Sequence, residues 1–249
     1  MEKQDLAIFY SGGRNSLLLY ALALAGHHPE IFRPHSIHLL HMLNGMGRFH
    51  SFPLARYQLA CGLLERQIPR PDEAPPTRWL ELDMGRLFQG LWLDRCEELM
   101  PRFNGKNLVC VACKLGMHVK GLLYCITHHV PLLLVGYGAR SSCCSQHSDV
   151  FMERVAALST LFGITTKFPL YGATDEHTVC HLLEEFGLPS TGGGERHCLF
   201  SQTLSSAGAK EIDDYLEAMI PLAVAYMEHS LAGRVQVAAA CFSPGMRPC

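Results

Sequence analysis

DLAIFYSGGRNSLLLYALA, residues 5–23, decides the fold. Leu6, Ala7, Ile8, Phe9 and Tyr10 form an uninterrupted apolar run, as expected of a strand covered on both faces. Ser11-Gly12-Gly13-Arg14-Asn15-Ser16 follows as a tight turn, and the apolar run from Leu17 reads as a helix. Strand, glycine turn and helix N-terminus together make an anion site. Glycines admit a close backbone approach, and the first free N–H groups of the helix point at the ligand. Ser11 and Ser16 add hydroxyl donors. The expected guest is a phosphate or pyrophosphate. A serine-glycine turn can also serve merely to reverse the chain, so the remaining sequence has to support the ligand.

The chain has 249 residues, enough for one large α/β domain or a domain with an appendage. Hydrophobic residues make up 48%, so a sizeable core is possible. A net charge of −2 and a pI near 6.7 provide no global basic field, which argues against extensive nucleic-acid binding but leaves a local patch open. No stretch reads as a signal peptide or a membrane span, and the sequence predicts a cytoplasmic protein with no membrane partner. Eleven cysteines in a reducing compartment point to metal or redox chemistry rather than disulfides.

Further strands are predicted over residues 36–43, 79–82, 131–136 and 164–168. Helices are predicted over 54–67, 87–100, the second half of 108–129, 148–162, from the cap at Thr174-Asp175 to 186, and 210–231. Residues 101–106 read as a loop and 238–249 as poorly ordered. This alternation predicts an α/β fold, a doubly wound parallel five-stranded sheet with ligands at the carboxyl ends of its strands. The long last helix predicts a C-terminal helical appendage. The expected division is a nucleotide-binding α/β domain over 1–190, then a cysteine-containing loop and helical tail over 191–249. The long helix also offers a surface for a homodimer.

Cys110-Val111-Ala112-Cys113 is the strongest chemical signal after the glycine turn. A C-x-x-C turn brings two thiolates close enough to share a metal or cluster, or to act as a dithiol redox pair. There is one such pair, so a four-cysteine zinc ribbon is not supported. Cys198, in Gly192-Gly193-Gly194-Glu195-Arg196-His197-Cys198, is the expected third thiolate, on a loop able to fold back over the strand ends. Cys61, Cys96, Cys125 and Cys180 fall in helical patterns and read as inert. Cys143-Cys144 follows the fourth strand and could hold a reactive thiol.

Ser11 to Ser16 resembles the SGGxDS loop of the PP-loop ATP pyrophosphatases, with Asn15 where the family has Asp. The segment C-V-A-C-K-L-G-M-H-V-K-G-L-L-Y is similar to that of the tRNA two-thiocytidine synthetases, in which C-x-x-C opens a basic helix. The later H-C-L-F-S-Q matches their lone cysteine. The likeness spans residues 5–202. It implies an adenine nucleotide alpha hydrolase-like fold, ATP and Mg²⁺ as cofactors, and adenylation of a substrate oxygen with release of pyrophosphate. It also implies a [4Fe–4S] cluster on Cys110, Cys113 and Cys198, a sulfur donor, and tRNA as sulfur acceptor. The tRNA two-thiouridylases have a similar layout and imply a persulfide on two cysteines instead. Three departures stand out: Asn15, a less basic helix after Cys113, and no evident tRNA-binding domain. The last two leave a small-molecule acceptor open, and Asn15 leaves open a nucleotide- or cluster-binding protein without turnover.

On the nucleotide side, Arg14 and Asn15 belong to the loop, and Lys114 and Arg140 are candidate phosphate contacts. His41, near the carboxyl end of the second strand, completes that set, although strand histidines are commonly packed and hydrogen-bonded; His38 reads so. Asp83 is a Mg²⁺ ligand or a turn carboxylate. His118 reads as structure.

Overall fold

A computed structural model describes residues 4–26, 34–47, 51–64, 74–138, 148–172, 175–190 and 207–233. The elements run β1 (Leu6–Phe9), α1 (Arg14–Ala25), β2 (Ile37–Leu43), α2 (Ser51–Leu64), β3 (Thr77–Asp83), α3 (Gly85–Leu91) and a 3₁₀ turn (Leu93–Arg95). They continue with α4 (Cys96–Arg102), α5 (Val109–Thr127), β4 (Leu132–Leu134), α6 (Asp149–Leu161), β5 (Thr165–Lys167), α7 (Glu176–Glu185) and α8 (Ala209–Leu231).

All strand pairs are parallel, in the order β3-β2-β1-β4-β5. The chain leaves β1 toward β2 and β3 on one side and later returns to add β4 and β5 on the other. The order therefore reverses between β1 and β4, and such a switch point opens a crevice at the carboxyl edge. β1 is central, and its side chains alternate between two cores. Leu6, Ile8 and Tyr10 pack with α1, α2 and α7, whereas Ala7 and Phe9 pack with α3 to α6 and α8. Covering both faces explains why the β1 run is apolar without alternation.

The expected fold is the observed one, with differences in the elements. The helix predicted over 87–100 breaks at Trp92 (φ −146°, ψ −56°). Burial drives the break: the Trp92 ring meets Tyr215 of α8 edge-on at 5.8 Å. α4 then runs through Pro101 to Arg102, where the sequence suggests a loop. β4 and β5 have three residues each, and their ladder ends at Leu134 and Lys167. The C-x-x-C is helical, not a separate turn. Asn107 Oδ1 accepts from the Val109 N–H at 3.0 Å and starts α5 just before Cys110.

α5 descends the sheet from carboxyl to amino edge and packs very close. A Cβ on Gly121 would stand 2.4 Å from the Phe9 ring, so glycine is required for this contact. By length and composition α5 could cross a membrane, but 61% of its apolar window is buried in this fold. α8 shares the same core: Ile212, Tyr215, Leu216, Met219, Ala223 and Met227 line its buried face. Tyr215 Oη donates to Leu91 O at 3.1 Å, and Arg154 of α6 bonds Asp213 at 2.7 Å. The apolar stripe of the predicted appendage is thus spent inside the chain. The boundary expected at 190/191 and residues 238–249 adjoin or lie outside the described residues.

Candidate functional site

The glycine loop is built at the end of β1. Gly12 has φ +77°, a left-handed conformation that favours glycine, and a Cβ there would lie 2.9 Å from Pro53 Cα at the start of α2. Gly12 therefore serves packing as well as any ligand. Ser16 Oγ donates to Gly13 O at 3.0 Å and lies 3.3 Å from both Ser11 N and Ser11 Oγ. The Gly13 N–H donates to Ser11 Oγ at 3.2 Å. Both hydroxyls brace the loop. α6 and α7 begin with side-chain caps from Ser148 and Asp175, whereas α1, like α3, α4 and α5, has an N-cap residue that offers no side-chain acceptor. Its first turn thus carries a positive end that no capping oxygen of its own meets.

The exit of β4 closes against this turn. Asn15 Nδ2 donates to Gly136 O at 3.1 Å. A Cβ on Gly136 would sit 3.1 Å from Ser16 N, and one on Gly138 would sit 2.7 Å from Asn15 Nδ2. These glycines let the β4 exit lie on α1 across the switch point. Sequence reading missed their role, although Gly-Tyr-Gly directly after a buried apolar run was a signal for it.

Arg14 turns to α7, pairing with Glu176 at 2.5 Å and reaching Cys180 Sγ at 3.5 Å, contacts that keep its guanidinium charged. His41 is buried, with Nδ1 3.0 Å from Tyr10 O and its ring stacked 5.4 Å from Trp79. Asp83 Oδ1 accepts from the Gly85 N–H at 2.8 Å, the turn role expected of it as one alternative. Lys114 places its ammonium 5.2 Å from the centre of the Tyr137 ring, a cation–π contact beside the β4 exit. Beneath it, His118 is fully buried, with Nε2 3.1 Å from Tyr137 Oη. Burial first, then the charge of Lys114, pushes the His118 pKa down to about 3, so the imidazole is neutral. Burial, and secondly charge on Cys113, raises the Tyr137 hydroxyl well above its ordinary value.

Cys110 and Cys113 are half-buried near the start of α5, three residues apart and so neighbours on one helix face. Asn44, directly after β2, donates from Nδ2 to Cys113 Sγ at 3.4 Å. The cysteine pair therefore stands at the carboxyl end of β2, next to the strand that ends in the glycine loop. Cys125, on the same helix, is buried, and its thiol is pushed up to about 12 by desolvation, which keeps it inert. Cys61, Cys96 and Cys180 lie in helices as expected. Cys198, Arg140, Cys143 and Cys144 lie outside the described residues. Among the described residues no three His, Cys, Asp or Glu side chains gather into a metal site. These two thiols fit two corners of a three-thiolate site: they are neighbours on one helix face and partly exposed, and Cys113 accepts an N–H.

Strand order, glycine loop and cysteine helix define a doubly wound α/β protein with its candidate chemistry on the carboxyl edge. The chain is similar to the structure of a U34-tRNA thiolase, NcsA, from Methanococcus maripaludis, determined with its [4Fe–4S] cluster. The TM-score is 0.48 and the identity 14%, over 100% of this chain and 76% of that one. No family model matches the sequence. No curated protein matches it.

Proposed function

We propose that this chain is an ATP-dependent sulfur transferase of the PP-loop type that adenylates its acceptor, a tRNA base or a small molecule. Cys110, Cys113 and Cys198 would hold a [4Fe–4S] cluster. The observation that carries the reading is the Asn44–Cys113 hydrogen bond at 3.4 Å, which ties the C-x-x-C helix to the edge where the glycine loop opens. Nucleotide and sulfur chemistry need one shared cavity, and the two motifs are on adjacent strand ends.

The chain's own groups divide the work. The uncapped first turn of α1 receives phosphate oxygens. Ser11 and Ser16 exchange their internal bonds for bonds to phosphate. Lys114 adds a positive charge beside the β4 exit. Asn15 offers Mg²⁺ a neutral amide oxygen, a weaker ligand than the carboxylate of the related loops. The acceptor oxygen attacks the α-phosphorus and pyrophosphate leaves; hydrosulfide from a sulfur donor then forms a bond to the activated carbon, and AMP leaves with the oxygen. When bound, a cluster on three thiolates supplies an iron without a protein ligand, where sulfur can be held.

Asn15 favours a second reading, a nucleotide- or cluster-binding protein without turnover, because its neutral amide is a weaker Mg²⁺ ligand than a carboxylate and its Nδ2 is held by Gly136 O. One experiment orders the alternatives. Anaerobic purification with iron and acid-labile sulfide analysis should give about four of each per chain, with pyrophosphate release when ATP and an acceptor are supplied. Protein without iron or zinc overturns the cluster and moves the weight to a persulfide on two of the three cysteines. Full cluster without pyrophosphate release, across tRNA and small carbonyl or carboxylate acceptors, favours the second reading.

A further inference from the structure

Asn44 belongs to neither motif, yet its side chain reaches the Cys113 sulfur. The end of β2 that carries it is rigid: Leu43 O accepts from the Met84 N–H at 2.9 Å, which fastens the exits of β2 and β3 together. The amide orientation is fixed as well. Asn44 Oδ1 accepts from the Met46 N–H at 3.0 Å, so the Nδ2 group is the end that faces Cys113 Sγ, at 3.4 Å. An amide N–H that meets a sulfur makes that sulfur an acceptor. A thiolate or an iron-bound cysteine is a far better acceptor than a neutral thiol.

We propose that Asn44 is the positioning residue of the cysteine pair, orienting Cys113 in the apo chain and donating an N–H···S bond to the cluster ligand. This rests on the cluster reading above. Hydrogen bonds to cluster sulfurs tune the reduction potential, and outer partners of metal ligands typically govern affinity about 10–100-fold.

Two measurements test it. In the full-length chain before reconstitution, the Asn44 side-chain amide resonance, identified by its loss in Asn44→Ala, should shift in Cys113→Ser and hold its position in Cys110→Ser. In the reconstituted chain, Asn44→Ala and Asn44→Asp should both release iron to a chelator about 10–100-fold more readily and show a lower midpoint potential. Asn44→Asp retains the acceptor for the Met46 N–H but adds a negative charge beside the sulfur, so a loss at least as large as that in Asn44→Ala assigns the effect to the N–H donor rather than to the turn. An amide signal indifferent to Cys113→Ser, or a potential and iron retention unchanged in both variants, overturns the proposal, and the iron content of the wild-type chain then decides the cluster reading by itself. Wild-type chain that takes up no iron overturns the cluster reading, and the tuning role with it.

Discussion

At the amino edge of the sheet, Asp5, Ser36, His38 and Tyr124 form one continuous hydrogen-bonded chain. Ser36 Oγ donates to Asp5 at 2.7 Å, His38 Nε2 lies 2.9 Å from Ser36 Oγ, and His38 Nδ1 lies 2.7 Å from Tyr124 Oη. Since the serine proton goes to Asp5, the imidazole must donate from Nε2 and accept from the tyrosine at Nδ1. Every link is made by another protein group at short distance. At the carboxyl edge the bonds within the glycine loop measure 3.0 to 3.3 Å, α1 starts without a side-chain acceptor, and the cysteine pair is half-buried. α5 joins the two, with Cys113 at one end and Tyr124 at the other. Serine, histidine and aspartate together suggest catalysis, but at the amino edge they form a staple. A candidate site is marked instead by donors that a ligand could still recruit.

The sharpest break would come from Cys113. Cys113→Ala should reduce bound iron from about four per chain to below one, whereas Ser36→Ala should leave it unchanged. Iron and sulfide assays decide, and equal losses in both would erase the distinction between the edges.

Gly12→Ala comes next. The left-handed backbone and the Pro53 contact together should cost about 2–4 kcal/mol of stability, read by urea denaturation, and ATP affinity should fall with it. Unchanged stability would mean that the glycine serves the ligand alone.

Acid discriminates more finely. An unfolded histidine binds a proton near pH 6.5, while folded His118 stays neutral down to about 3. The unfolded state therefore binds more protons in that interval, and stability falls as pH drops through it. The contribution is fully present above pH 6.5, and the slope is about 1.4 kcal/mol per pH unit. His118→Gln should flatten that dependence in pH-resolved denaturation. His38 acts in the same direction, because burial lowers its pKa first and Arg78 and His128 add to it, but Asp5 offsets part of the shift. Its removal should flatten the profile less. The smallest effect belongs to Tyr124→Phe, about 1 kcal/mol, with ATP affinity unchanged.

The sheet was legible because its signals are local. A buried apolar run, a glycine turn and a helical run lie side by side in residues 5–23, and the order of elements followed. The break at Trp92 was not legible, because its cause is Tyr215, on a helix far along the chain. Asn44 was hidden for the same reason: a polar residue after a strand looks like a turn until α5 brings Cys113 against it. The contacts of the Arg14 side chain with Glu176 and Cys180 were not legible either, because both partners lie on α7, far along the chain. Gly136 and Gly138 could be seen as a turn but not as the surface on which Asn15 rests.

Gly121 has no chemistry, yet it governs how near two chemistries stand. Phe9 belongs to the strand that ends in the glycine loop, and α5 begins with the cysteine pair. The thickness of the layer between strand and helix is set where the bare backbone of Gly121 meets the Phe9 ring. That contact acts as a spacer of zero length. A methyl group there would push the helix that carries Cys110 and Cys113 away from the strand that ends in the glycine loop, from a position that lies in neither motif.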